Sequence, residues 1–247
     1  MLFRFRWSWG LAAAGALTLL VAGCQTETEP GPESGADYYP LAVGDYRIFA
    51  VTDSSWLNFQ RQPVSSFQFR ERVDEQITDA SGQPAYRIVR SRRLLPTDLW
   101  RDDSVLVLSA TATNVQLVRN NRRTVELVFP VRADRAWNRD AFNARDTVVA
   151  ENRRYQRVGQ PFTAQAGSQT FRYERTVTTD DIEDVNLDDG LYNVAKYRQV
   201  YAQGSGPVQR VRRRLEFCNG GNCTPDPTRI FKGRVRVETL LEKGHTP

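Results

Sequence analysis

Histidine is nearly absent from this chain. The single one, His245, stands third from the end in Lys243-Gly244-His245-Thr246-Pro247, a stretch that reads as frayed. Ser-His-Asp and Cys-His catalysis each need an imidazole beside the nucleophile, and histidine-rich metal centres need several, so the composition argues against all of them. No Gly-rich phosphate loop opens a helix, because the glycine pairs fall in turns between strand-like segments. Lysine is scarce as well, three against thirty-one arginines. Acids are interleaved with those arginines almost throughout, which reads as a coding bias and not as the one basic face that a nucleic-acid partner would want. No nucleic acid and no cofactor is expected.

Long apolar runs are also missing. The N-terminal run from Gly10 to Ala22 has 13 residues, short of the about 20 that cross a bilayer. Preceded by Arg4 and Arg6, it reads as the apolar core of a signal peptide over 1–23. Val21-Ala22-Gly23-Cys24 then matches the lipobox of bacterial lipoprotein precursors, in which a peptidase cuts before a cysteine that has received diacylglyceryl. Cys24 is therefore expected to be a lipid anchor to a membrane and not a nucleophile. Several acyl chains at about 0.8 kcal/mol per buried CH₂ hold far longer than one. Gln25, in place of Asp, leans toward sorting to the outer membrane, on its periplasmic face or at the cell surface. Loss of the two leader arginines takes the formal charge from +5 to +3, only mildly basic.

Two cysteines remain, Cys218 and Cys223, separated by Asn-Gly-Gly-Asn in a chain expected in an oxidising compartment. Those spacer residues tolerate positive φ, so the chain can reverse and bring the sulfurs together as a disulfide. Half of a zinc site fits less well, since the spacing is not C-x₂-C and no second pair of ligands exists.

Residues 24–37 comprise the lipidated cysteine and a tether. From Gln25 to Asp37 the tether has no large aliphatic residue and is rich in Pro, Gly and acids, with a reach of about 40 Å. From Tyr38 to the end a single β domain is expected, because the dominant period is two. Phe67, Phe69, Val73 and Ile77 make one face, interrupted by Glu71 and Glu75, while Gln68, Arg70, Arg72, Asp74 and Gln76 make the other. Asp79 to Pro84 supplies a turn, and Ala85 to Arg93 returns as the second arm of a hairpin. Similar segments recur at 45–51, 105–118, 124–131, 170–178, 192–203, 208–217 and 233–242. About nine to eleven strands follow, an all-β antiparallel meander curled into a half-barrel, a barrel or a two-sheet sandwich. Short helical turns are the reading for 134–143 and 181–187. Arg210, Arg212, Arg214, Arg234 and Arg236 are expected on exposed faces, where charge discourages edge pairing. The runs Arg119 to Arg123 and Arg212 to Arg214 read as solvated turns and strand edges, with anionic lipid or polysaccharide as the rival reading.

Carboxylate chemistry is what the missing histidines leave open. It needs two acids facing each other about 5 to 9.5 Å apart, and Glu71 and Glu75 are the candidates, against the plainer reading that they pair with arginines. Asp184, Asn186 and Asp188 repeat the start of a calcium loop, but Gly190 comes one residue late and Ala195 stands where a bidentate Glu belongs, so they are weak calcium candidates. Trp137, Phe59 and Tyr155 read chiefly as core. Trp56 and Trp100 lie near expected loops and are the better candidates for ligand contact.

Tyr39-Pro40-Leu41-Ala42-Val43-Gly44-Asp45-Tyr46 resembles a recurrent opening, Y-x-P-L-x-x-G-x-x-W, of uncharacterised Gram-negative envelope lipoproteins. Tyr201-Ala202-Gln203-Gly204-Ser205-Gly206-Pro207-Val208 is similar to their later Y-A-x-G-x-G-L-V, and Trp137-Asn138 and the late cysteine pair extend the likeness over most of the chain. Arg47 and Pro207 depart from it, where an aromatic and a leucine are common. The resemblance implies a shared architecture and no catalytic residue. Together these features point to a non-catalytic envelope module that binds or supports a protein, lipid or glycan. The rivals are a carboxylate-dependent glycan hydrolase and a lipid or lipoprotein carrier built on an open half-barrel with an apolar cavity.

Overall fold

The computed structural model describes residues 34–142, 150–181, 193–219 and 223–246. Among them, thirteen strands follow one 3₁₀ turn at Ala36–Tyr38: β1 (Asp45–Leu57), β2 (Gln60–Arg61), β3 (Ser65–Thr78), β4 (Pro84–Arg93), β5 (Arg101–Ala110), β6 (Asn114–Arg119), β7 (Arg122–Val128), β8 (Ala136–Asn138), β9 (Asn152–Ala166), β10 (Gln169–Asp181), β11 (Asn193–Ala202), β12 (Gly206–Cys218) and β13 (Asp226–His245). The ladder runs β7-β6-β5-β4-β3-β1-β13-β12-β11-β10-β9-β8, with β2 pairing only β1. Every pairing is antiparallel. First and last strands thus meet in the middle of the sheet, where Asp45 pairs with His245.

The two ends of the ladder come back together. Val125 N–H donates to Arg139 O at 2.8 Å, and the Trp137 indole donates to Val125 O at 3.0 Å. The Tyr155 hydroxyl both donates to Val128 O and accepts from Val128 N–H, at 2.7 and 2.8 Å. These contacts make the meander a nearly closed barrel. Near-closure covers the edges that an open sheet of this width would leave unpaired.

Several expectations need correction. The apolar stretch 105–118 is two strands, because the Thr111 hydroxyl accepts from Thr113 and Asn114 N–H and turns the chain. The segment 134–143, described as far as Phe142, is not one helical turn, for turns there flank a short strand. It carries β8, since Trp137 packs against Tyr155 at 4.7 Å and that tertiary contact outweighs local propensity. β9 escapes a reading by apolar alternation because it is polar for most of its length. His245 is not frayed: it closes β13, with Nδ1 3.0 Å from Asp45 Oδ1. The reading of 181–187 falls almost wholly outside the described residues.

One end of the barrel, called the lower end below, is filled by Tyr38, Tyr39, Leu108, Leu127, Phe129, Tyr155 and Tyr201. Here the two stretches that carry the family resemblance meet. The Tyr39 and Tyr201 rings are 5.9 Å apart, and the departing residue Arg47 donates to Pro40 O at 2.7 Å and Ser205 O at 2.8 Å. Gly206, at φ 83°, leaves room for that guanidinium, which a Cβ there would approach to 2.9 Å. The packing takes in part of the tether stretch, since Asp37 O accepts from Gly204 N–H at 2.8 Å.

Candidate functional site

Above this plug the barrel interior holds a cavity of about 650 Å³. Its walls follow from strand alternation. Register places Gln199 beside Arg210, Tyr197 beside Arg212 and Ala195 beside Arg214. Arg210 in turn pairs with Glu238, Arg212 with Arg236 and Arg214 with Arg234, so one inward face of β11–β13 carries a column of arginines. The expectation of exposed faces fails for Arg210 and Arg236, which are partly buried, while Arg212, Arg214 and Arg234 are exposed as expected; all five nevertheless line the cavity. Arg119 and Arg122 line it from the opposite wall, so the two arginine runs are not merely solvated turns. A tight turn at Asn120 and Asn121, with φ of 49° and 57°, sets that pair in place.

Four buried charges form a ring in the cavity. Arg210 donates a fork to Glu71, at 2.8 and 3.0 Å, and a further bond to Glu238 at 3.1 Å. Arg90 donates to Glu238 at 2.8 Å, and its Nε lies 3.5 Å from Glu71. The guanidiniums also stack on rings, Arg90 over Phe69 at 3.8 Å and Arg210 over Phe49 at 4.7 Å. Burial alone would raise the Glu71 pKa, but Arg210 and Arg90 outweigh it and hold the group at about 2. Glu238 is lowered by the same contest between burial and these two arginines.

A second cluster lies toward the seam of the barrel. Arg139 donates to Glu151 at 3.1 Å and to Glu126 at 3.3 Å, Arg153 donates to Glu151 at 2.8 Å, and Arg122 bridges Asp140 and Glu151. Burial raises Glu151, and Arg139 and Arg153 bring it down to about 2. Glu126 is likewise lowered, against burial, by Arg139 and Arg153. Arg139, Arg153 and Arg212 all lie within 5.2 Å of the Tyr197 ring centre, which stands as a post between the cluster and the arginine column. All four cavity glutamates therefore stay ionised at neutral pH. None keeps the proton that a general acid must donate.

The sequence-derived candidates divide. Cys24, Asp184, Asn186 and Asp188 lie outside the described residues. Cys218 and Cys223 form a disulfide, with Cα atoms 6.2 Å apart. Glu71 reaches the cavity ring, but Glu75 does not. A bulge between Val73 and Glu75 breaks the alternation, and Glu75 pairs with Arg87 at 3.1 Å on the exposed side. Trp56 and Trp100 are partly exposed, do not line the cavity, and lie under arginines: Arg61 over Trp56, and Arg70 and Arg93 over Trp100. Phe59 packs on Phe231 at 5.1 Å, and Tyr155 is fully buried. The sequence marks Arg119 to Arg123 and Arg212 to Arg214 only as a rival anion-binding reading and gives no sign that they share a cavity with Arg90, Arg139, Arg210, Arg234 and Arg236. Their only signal was alternate-position repetition on successive strands, and a charged residue at alternate positions reads by default as outward-facing. Among the described residues no three His, Cys, Asp or Glu side chains come together as a metal site.

Comparison of the chain with family models, with curated proteins and with solved structures gives no match.

Proposed function

We propose that this chain is a lipid-anchored envelope protein whose barrel takes a ligand into its interior without transforming it. The observation that carries this reading is the cavity itself, within the about 300–1,000 Å³ range of small-molecule sites, walled by antiparallel strands and lined by buried ion pairs beside arginines that have no carboxylate partner among the described residues. A mixed lining of guanidiniums and aromatic rings suits recognition. The glycan hydrolase fits less well, because Glu71, Glu126, Glu151 and Glu238 are all held ionised by arginines. A carrier of purely apolar lipid also fits less well, since guanidiniums face the space that acyl chains would fill. Attachment rests on the lipobox at Cys24 and on the likeness to Gram-negative envelope lipoproteins.

Two measurements test the reading. Palmitate labelling of the full chain expressed in a Gram-negative bacterium should disappear with Cys24→Ala; labelling that survives ends the lipoprotein assignment. Calorimetric titration of the purified full chain with phenyl phosphate, phenyl glucoside and phenyltrimethylammonium should find at least one saturable binder, lost in the cavity-filling Ala195→Trp. If none of these probes binds, the interior is no ligand site.

A further inference from the structure

We infer that the group recognised in the cavity is a phosphomonoester dianion, gripped by Arg119, Arg212 and Arg214. This rests on the interior-site reading above and names its ligand class.

The argument starts from charge. In the buried ring two arginines face two glutamates. In the seam cluster Arg122, Arg139 and Arg153 face Asp140, Glu126 and Glu151. Asp53 holds both Arg234 and Arg236, at 2.6 Å each. Of the lining arginines, Arg119, Arg212, Arg213 and Arg214 are left over, and no carboxylate among the described residues pairs with any of them; Arg212 and Arg214 alternate onto the same face of β12 as Arg210. Arg119 and Arg212 belong to strands on facing walls, so their charges converge across the cavity. The Arg119 pKa is depressed, first by partial burial and then by the charge of Arg90, with Arg212 adding to the effect. Like charges gathered in a low-dielectric cleft repel one another and focus a positive field on the space between them. An anion there relieves that repulsion.

The chemistry narrows the anion. Guanidiniums bind phosphate by paired N–H donors and shed water more readily than ammonium groups, which makes the arginine-for-lysine bias useful in this place. A lone carboxylate carries one charge and engages one fork, whereas several guanidiniums lining one cavity call for more charge and more acceptor oxygens. Leu106, Leu117 and Ile88 form the apolar part of the lining, so the remainder of the ligand is apolar and compact. A free phosphate ester and the headgroup of phosphatidic acid share this chemistry.

The test titrates the full chain, purified in neutral detergent, with phenyl phosphate, with phenyl glucoside and phenyltrimethylammonium as uncharged and cationic counterparts. Mixed micelles doped with phosphatidic acid or with phosphatidylcholine separate the two sources. The expected result is saturable binding of phenyl phosphate, competed by inorganic phosphate and weakened at least tenfold by Arg212→Gln or Arg119→Gln. Arg172→Gln, on an exposed residue paired with Glu174, should leave it unchanged, and melting curves confirm that each variant is folded. Preference for phosphatidic acid micelles, lost in Ala195→Trp, supports the inference and makes the source a lipid. Micelle binding that survives Ala195→Trp overturns it. Phenyl phosphate binding indifferent to both arginine variants overturns it as well. If the glucoside or the cation binds better than phenyl phosphate, the inference fails while the cavity stands; if nothing binds, both fail.

Discussion

The lower and upper halves of the barrel are made from the same continuous strands, yet they are filled by opposite means. Below, Leu108, Leu127, Tyr155 and Tyr201 are fully buried and exclude water by packing, with the tyrosine hydroxyls tied to backbone or to Gln199. Above, Arg90, Glu71, Arg210 and Glu238 are nearly as buried but exclude it by mutual charge neutralisation. β12 displays the change within one strand, from buried Val208 to Arg210 and then to the exposed Arg212 and Arg214. A wall packed with leucine has no room for a guest. A wall of guanidiniums held apart by repulsion does, and so the proposed ligand site is assigned to the upper half.

This contrast can be broken by substitution. The largest loss is expected from Arg210→Met, which strands Glu71 and Glu238 as underpaired buried carboxylates, at about 3–5 kcal/mol of unfolding free energy. Leu127→Ala, by cavity creation alone, should cost about 2–4 kcal/mol. Denaturant unfolding in which Arg210→Met proves nearly neutral would mean that the ring is not what holds the upper half together.

Acid should separate the halves next. Glu71 and Glu151 have folded pKa values of about 2 against an ordinary 4.5. A carboxylate whose pKa is depressed on folding contributes its stability above the unfolded value and loses it as pH falls toward the folded one. Melting temperature should therefore drop between about pH 4.5 and 2, with a shallower acid limb in Glu71→Gln. An equally steep limb in that variant would place the acid sensitivity elsewhere.

The smallest expected effect is at the mouth. Arg212→Gln and Arg214→Gln should change stability by less than about 1 kcal/mol, because neither residue has a carboxylate partner to lose among the described residues and relieved repulsion offsets any lost packing. A loss comparable with that of Arg210→Met would show these residues to be structural and would close the gap between the two regions.

Much of the architecture was legible from alternation: the antiparallel meander, the hairpin around 79–84, and the cysteine pair whose Asn-Gly spacer permits reversal. Strand limits were less so where a Thr111 hydroxyl or the Trp137–Tyr155 contact decided them, since neither signal is periodic. Glu71 was recognised as an oddity on an apolar face, but its partner Arg210 lies 139 residues away.

Sequence alone determined that successive residues face opposite ways, because the period of a strand is fixed by backbone geometry. Which face is the interior was decided only by closure of the barrel. For apolar residues the two answers coincide. For the arginines they do not, because a guanidinium becomes tolerable inside once a glutamate from a distant strand and an aromatic ring from its neighbour meet it there, and that meeting exists only in the folded wall.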